Sequence, residues 1–291
     1  MSPRIKVLSL AALATLAGAG IWYGTKDSNS QPNGVTASQE VPAQAEQDSP
    51  TPSHSTDRLA ASNSSPDSPA NRFVRVRRLS GRAYAVEDFG QVPSGTVDQV
   101  IAKLSPLALA GDAAASYGIF LKLNECANIS RRAARGSALG ASPQVAAACA
   151  DLSVDNEISS GKWLSLAAEQ GNIGARLLYA ADSESAVGGP AEMLRNPDRV
   201  KEYKETAVGY LNDLASQGSV DALLQLGNAY HAGVLIDEDP ITSRAYFEAV
   251  RLADPKVVPD QQVSALDKRL SAQQLSQALR KGNQIHDSCC R

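Results

Sequence analysis

The chain has 291 residues, a formal net charge of −3 at pH 7, and only 5% aromatic residues. Moderate hydrophobicity and few aromatic side chains favour an all-helical body over a sheet protein. The slightly acidic balance argues against nucleic acid as the main partner, because nucleic-acid-binding proteins usually carry a strongly basic face.

The first element is an apolar stretch over residues 5–23, close to the length that spans a bilayer. Positive charges at Arg4 and Lys6 predict that its start stays in the cytoplasm and that the rest of the chain crosses the membrane. The sequence therefore predicts a bacterial inner-membrane protein with a single span and a body in the periplasm.

Residues 1–25 are consistent with two kinds of targeting segment. Ala17 and Ala19 form an A-x-A pattern that a signal peptidase could cleave, which would leave a secreted or periplasmic protein. Trp22 and Tyr23 extend the apolar run to an interfacial aromatic pair, which favours an uncleaved signal anchor.

The next segment, residues 26–72, is rich in Ser, Pro, Asn and Gln and has no aromatic residue. It cannot bury enough apolar surface to offset its ordering entropy, so we predict a disordered linker. A basic segment follows over residues 72–82. It either contacts anionic lipid or an acidic partner, or, as we favour from its period-two alternation, forms an extended segment on the first helices with solvated arginines.

The remaining chain contains the same pattern for ending one helix and starting the next, which we call a helix stop, three times. In each case a glycine is followed by a capping residue and then by an alanine: Gly111-Asp112 with Ala115, Gly171-Asn172 with Ala175, and Gly218-Ser219 with Ala222. Glycine ends a helix in the left-handed conformation at no steric cost. Asp, Asn and Ser cap the N–H groups of a new helix. Each site therefore predicts the junction of two helices.

The helices before these stops also share a pattern. Trp163-Leu164 before Gly171 matches Tyr210-Leu211 before Gly218, with small or apolar residues three and four positions later. Recurrence at such intervals predicts stacked helical hairpins, in which no unit buries its apolar face alone.

These residues resemble the Sel1-like repeats, relatives of the tetratricopeptide repeat. The first helix of that repeat is matched by Ala222, Leu226, Gly227, Tyr230, Gly233, Ile236 and Asp239, and the second by Ala207, Tyr210, Leu211, Leu214, Ala215 and Gly218. The family's second loop glycine is replaced by Leu235. The resemblance implies an αα-hairpin superhelix over residues 73–288, with insertions at about residues 128–141 and 183–197.

The last part of this domain, residues 260–270 and 271–285, is predicted to form two capping helices with N-caps at Asp260 and Ser271.

The resemblance also has implications for function. Sel1-like repeats generally serve as adaptors, and some exported members regulate envelope signalling or secretion systems. We therefore expect a non-enzymatic scaffold that docks a partner protein on its concave face, without a cofactor. The alternatives are a structural envelope protein bound to lipid or peptidoglycan and a serine hydrolase of cell wall or β-lactams.

Four cysteines in an exported body predict disulfides. Cys126 and Cys149 bracket the first insertion, and we favour a bond between them. Cys289 and Cys290 could bond to each other, to another chain, or to the first pair. The spacing fits no zinc pattern, so no metal site is expected.

Candidate catalytic groups are few. Ser159 and Lys162 satisfy the S-x-x-K pattern of penicillin-recognising enzymes, but no K-T-G motif accompanies them. We interpret Ser159 or Ser160 as the N-cap of the helix that carries Trp163. The acidic run that ends at Asp239 could suggest calcium, and we interpret it as an inter-helix loop followed by a cap.

Overall fold

The computed structural model describes residues 65–136, 142–258 and 260–291. In these residues the chain is a stack of helical hairpins with one short β-hairpin, which confirms the predicted all-α repeat fold. The predicted membrane segment and the linker up to residue 64 lie outside the described residues. No described helix is both long and apolar enough to cross a bilayer.

The elements follow one another along the chain in a regular order. The strands are β1 (Arg75–Arg78) and β2 (Tyr84–Asp88), and the helices are α1 (Val97–Leu109), α2 (Ala113–Ala134), α3 (Pro143–Ala147), α4 (Val154–Glu169), α5 (Ile173–Ala181), α6 (Ser183–Val187), α7 (Pro190–Arg195), α8 (Pro197–Ser216), α9 (Val220–Ala232), α10 (Pro240–Ala253), α11 (Asp260–Arg269) and α12 (Ala272–Cys289).

The three predicted stops lie between α1 and α2, between α4 and α5, and between α8 and α9. Gly111, Gly171 and Gly218 have φ angles of 99°, 95° and 95°, values that L side chains avoid. Each following polar residue caps the next helix through the backbone N–H three positions on. The same combination of a positive-φ glycine and a capping side chain therefore forms all three helix junctions.

The connections at the other ends of the hairpins are longer. Helix α2 extends to Ala134, well into the first predicted insertion. The second insertion folds into α6 and α7, which pack against α8. The third connection is a short loop that begins at Gly233, a left-handed C-cap, and ends at Asp239, which caps α10.

The final helices close the stack as expected for a capping element. Ser271 caps α12 as predicted and forms a capping box with Gln274. Asp260 is the first residue of α11 and not its N-cap, so that prediction is wrong by one position. Helix α12 packs closely on α10, since a Cβ at Gly282 would lie 2.5 Å from the Cβ of Glu248. The other face of α12 is exposed and polar.

The segment before the helices, residues 65–92, forms what we call the strap. Its strands pair antiparallel, and it lies across the repeat junctions and reaches the end of α12. Residues 65–72, assigned above to the disordered linker, belong to it, and Asn71 is buried. The folded part of the chain therefore includes residues before 73, where the repeat domain was predicted to begin.

The basic segment is extended, as predicted, with Val74 buried and the arginines of β1 exposed. It also reaches the last repeats, which was not predicted, and four of its arginines form ion pairs at the surface. The pairs are Arg72 with Asp112, Arg75 with Asp88, Arg77 with Glu87 and Asp254, and Arg78 with Asp67. The partners come from the strap itself and from loops of both the first and last repeats, because the strap runs along the stack.

Candidate functional site

An apolar groove lies between the second and third hairpins. It has a volume of about 420 Å³ and is formed by the end of α5, by α6 and α7, and by parts of α8 and α9. Its lining residues are Ala180, Ala181, Ser183, Val187, Met193, Val200, Tyr203, Lys204, Leu211, Gln225, Asn228, Ala229, Ala232, Val234 and Leu235. We call this cavity the inter-repeat groove.

The groove exists because α5 is short. It has 9 residues where its counterpart α9 has 13, and it ends at Ala181. The insertion then turns at Gly188 and Gly189, whose φ angles of 102° and 92° place both in a region that glycine favours. Helices α6 and α7 therefore fold back beside the end of α5 and form one wall.

The floor of the groove is apolar and uncharged. Tyr203 donates its hydroxyl hydrogen bond to the carbonyl of Ala180 at 3.0 Å and packs against Tyr179, with ring centroids 5.3 Å apart. The Tyr203 hydroxyl is neutral at physiological pH, and burial raises its pKa further, to about 12. Val187 and Leu211 complete a floor that suits apolar side chains.

The rim combines exposed apolar and polar groups. Val234 is 70% exposed, and Leu194, next to the lining residue Met193, is 87% exposed. Asn228 is exposed and accepts a hydrogen bond from Gln262 through its side-chain oxygen. Lys204 is half-buried and forms no ion pair within the described part of the chain. Large exposed apolar groups next to a cavity are typical of binding surfaces.

Four of the predicted repeat residues lie in the packing between helices. Ala115, Ala175, Ala222 and Leu226 are completely buried. Tyr210 is buried with the guanidinium of Arg176 over its ring at 5.0 Å.

Two repeat aromatics are less buried. Trp163 is partly buried between two parts of the core. Tyr230 is also only partly buried and stacks on Tyr246 with ring centroids 5.7 Å apart. These two side chains brace neighbouring helices rather than fill the interior.

Gly227 is required by a close approach. A Cβ at this position would lie 2.9 Å from the ring of Phe247 on α10. The carbonyl of Gly227 also accepts a 2.8 Å hydrogen bond from the hydroxyl of Ser243. Helices α9 and α10 are therefore in contact through backbone and ring at this point.

The structure contains a disulfide between Cys126 on α2 and Cys149 after α3. The two sulfurs lie beside Glu125, but bonded cysteines offer no thiolate to a metal ion. Cys289 and Cys290 are bonded to each other. Both pairs are therefore intramolecular.

The assignment of Ser159 or Ser160 as an N-cap is wrong. Helix α4 begins earlier, and Ser153 caps it by accepting from the N–H of Asn156. The hydroxyl of Ser159 donates to the carbonyl of Asn156, one turn earlier in the same helix. A run of helix-compatible residues before Trp163 extends the helix past the predicted start.

The groove was not predicted from the sequence, because residues 183–197 carry no repeat pattern and were expected only to form an insertion. The signal was the apolar pair Met193-Leu194 in a segment that carries no repeat residues.

Comparisons with known proteins add a structural likeness. No family model matches the chain, and no curated protein matches it. The chain is similar to the crystal structure of a protective antigen present in uropathogenic Escherichia coli strains that displays an SLR fold, with 21% identity and a TM-score of 0.43. The match covers 66% of this chain but only 33% of the antigen, so the chain spans about a third of that protein.

Proposed function

We propose that this protein is a non-enzymatic scaffold that binds an apolar segment of a partner protein in the inter-repeat groove. The observation that carries the proposal is a cavity of about 420 Å³ with an uncharged floor and exposed apolar groups at its rim. Such grooves take the apolar face of a helix or alternate side chains of an extended peptide.

The charge at the rim indicates the chemistry of the partner segment. Lys204 is half-buried and forms no ion pair among the described residues. A carboxylate on the partner would therefore meet an uncompensated ammonium beside an apolar cavity. We expect a segment with two or three large apolar side chains and an acidic residue next to them.

We also propose that the body of the protein, and therefore its partner, lies in the periplasm. The charges at Arg4 and Lys6 before the apolar stretch, together with two disulfides, favour a body in the periplasm that residues 5–23 anchor or that cleavage releases. The partner would then be an envelope protein, in agreement with the signalling and secretion roles of exported Sel1-like proteins.

The other functions considered above are less well supported. A lipid or peptidoglycan contact through residues 72–82 would compete with the ion pairs that already occupy Arg72, Arg75, Arg77 and Arg78. A serine hydrolase would need an activated nucleophile, and the Ser159 hydroxyl is hydrogen-bonded within its own helix.

Site-specific crosslinking in cells tests the groove. A photoreactive residue at Val234 should capture one partner, whereas the same residue at Gln277, on the exposed face of α12, should not. With that partner purified, Val234→Asp and Lys204→Glu should each weaken binding at least tenfold at unchanged melting temperature. Equal capture at both positions, or unaffected binding, would contradict the groove as the binding site.

Reporter fusions test the location separately. A periplasmic reporter fused after Arg291 should be active, and a reporter that works only in the cytoplasm should be silent at the same place. The reverse pair of results would overturn the periplasmic location while leaving the groove untouched. Sequencing the N-terminus of the mature protein distinguishes the anchor from a cleaved signal peptide.

A further inference from the structure

The end of α12 carries a disulfide between two adjacent residues. Cys289 and Cys290 are both buried, at 3% and 1% exposure. A bond between neighbouring cysteines closes a ring that contains the peptide bond joining them, so it constrains the local backbone and no distant part of the chain. Its structural effect must therefore be on groups that contact this backbone directly.

Those groups belong to the turn of the strap. The N–H of Arg82 donates a 2.8 Å hydrogen bond to the carbonyl of Cys290. The side chain of Arg82 donates to the carbonyls of Ser288 and Arg291. Arg82 therefore donates hydrogen bonds to the backbone oxygens of three residues at or beside the disulfide.

The fit at this contact is close. Gly81 has a φ of 63°, and a Cβ there would lie 2.2 Å from the carbonyl oxygen of Cys290. A side chain is therefore excluded at the position where the turn meets the disulfide ring. A change in the backbone at Cys290 would displace the turn directly, because no flexible side chain lies between them.

The same turn is tied to the third repeat junction. The N–H of Tyr84 donates to the carbonyl of Gly218 at 3.0 Å, and the N–H of Val86 donates to the half-buried carboxylate of Asp221 at 2.7 Å. Tyr84 itself is completely buried. The strap therefore links the end of α12 to the start of α9.

We propose that the Cys289–Cys290 disulfide is a redox latch that holds the strap closed on the repeat stack. A dithiol reductant opens it in two steps. A thiolate of the reductant attacks one sulfur, the Cys289–Cys290 bond breaks, and the other sulfur leaves as a thiolate that takes up a proton. The second thiol of the reductant then resolves the mixed disulfide, which yields two cysteine thiols and one reductant disulfide.

Reduction removes the ring and frees the backbone at Cys290. The hydrogen bond from Arg82 and the close contact at Gly81 both depend on that backbone, so the turn separates from α12. The Cys126–Cys149 disulfide serves as an internal reference, since the strap makes no hydrogen bond to either of its cysteines. This inference is independent of the proposed groove.

Hydrogen exchange on the full-length protein, before and after treatment with dithiothreitol, tests the latch. Alkylation and peptide mapping should first recover Cys289 and Cys290 as one internally bonded peptide that becomes doubly alkylated after reduction under native conditions. The amides of residues 79–86 should then exchange at least tenfold faster. The double variant Cys289→Ser/Cys290→Ser should exchange fast without reductant and should not respond to it in this segment.

The double variant also controls for the other disulfide, because it keeps Cys126–Cys149 and any effect of reducing that bond would appear in both proteins. Three results would overturn the latch. The first is a peptide map of the unreduced protein without a Cys289–Cys290 bond, and the second is a bond that resists reduction in the folded protein. The third is unchanged hydrogen exchange of the amides of residues 79–86 after both thiols have been alkylated. A variant that still responds to reductant in that segment would assign the effect to Cys126–Cys149.

Discussion

The side-chain oxygen of Asn71 accepts a 2.8 Å hydrogen bond from the backbone N–H of Ile173, a residue 102 positions later in the chain. Both residues are buried. That N–H belongs to the first turn of α5, where no intrahelical acceptor exists. The strap thus supplies a cap that the repeat itself does not provide.

Replacing this cap should destabilise the protein. Asn71→Ala leaves the N–H of Ile173 buried without a partner, which costs about 1–3 kcal/mol of unfolding free energy. Urea denaturation followed by circular dichroism measures the change. Asn128→Ala, which removes an exposed amide on α2, is the matched control and should change the free energy by less than about 0.5 kcal/mol. Equal effects of the two substitutions would show that Asn71 is not a cap.

The helix junctions could be predicted from the sequence, whereas the contacts between the strap and the helices could not. A stop such as Gly218-Ser219 is local, since its φ angle and its cap involve residues three positions apart. The partner of Asn71 is a backbone N–H group far along the chain. Every residue except proline has such a group, so the sequence does not identify the donor. The alternation of basic and apolar residues predicts exposed arginines, but it does not identify the acidic residues that pair with them, such as Asp254 for Arg77.

The groove was unpredictable for a related reason. The repeat pattern identifies residues such as Leu226 that pack between helices, because their spacing follows the helical period. The groove depends instead on how far α5 extends and on how an insertion without repeat residues folds back onto it. Neither the end at Ala181 nor the position of Met193 follows from periodicity.

The glycines of the first and third stops form a matched pair for measuring the contribution of the strap. Gly111 and Gly218 have nearly the same positive φ, but a Cβ at Gly111 meets nothing within 4 Å, whereas one at Gly218 would lie 2.6 Å from the carbonyl oxygen of Arg82. Gly111→Ala should cost only backbone strain, about 1–2 kcal/mol. Gly218→Ala should cost that and about 1 kcal/mol more, as the hydrogen bond from Tyr84 is lost.

Urea denaturation of both variants gives this difference directly. Gly218→Ala should also accelerate hydrogen exchange in residues 79–86, while Gly111→Ala leaves that segment protected. Equal losses of stability, with equal protection of the strap, would mean that the contact at Gly218 contributes nothing.

A second pair of glycines tests the packing of the best-matched repeat. Gly227→Ala places a methyl group 2.9 Å from the ring of Phe247, so it should overpack the interface of α9 and α10 and cost about 1–3 kcal/mol. Gly209→Ala on the exposed face of α8 meets nothing within 4 Å and should stabilise the helix by about 0.5–1 kcal/mol. Thermal denaturation should therefore shift in opposite directions, and a shift in the same direction would refute the close packing at Gly227.

The ion pair between Arg77 and Asp254 should make stability depend on pH. The side chain of Arg77 donates to the Asp254 carboxylate at 2.7 Å, and this hydrogen bond holds the pKa of the carboxyl below its ordinary value. A carboxyl whose pKa is lower in the folded state stabilises the protein above its unfolded pKa of about 3.9. That contribution is lost as the pH falls from there through the lower folded pKa.

Arg77→Gln should therefore lower the free energy of unfolding most at about pH 5–7, and the gap from the unsubstituted protein should close as the pH falls below about 4. Urea denaturation at a series of pH values measures this gap. Arg75→Gln is the control, because Arg75 is 69% exposed and lies 3.5 Å from Asp88, a surface pair that should contribute little at any pH. A gap for Arg77→Gln that is the same at pH 3 and pH 7 would mean that Asp254 is not held ionised by this arginine.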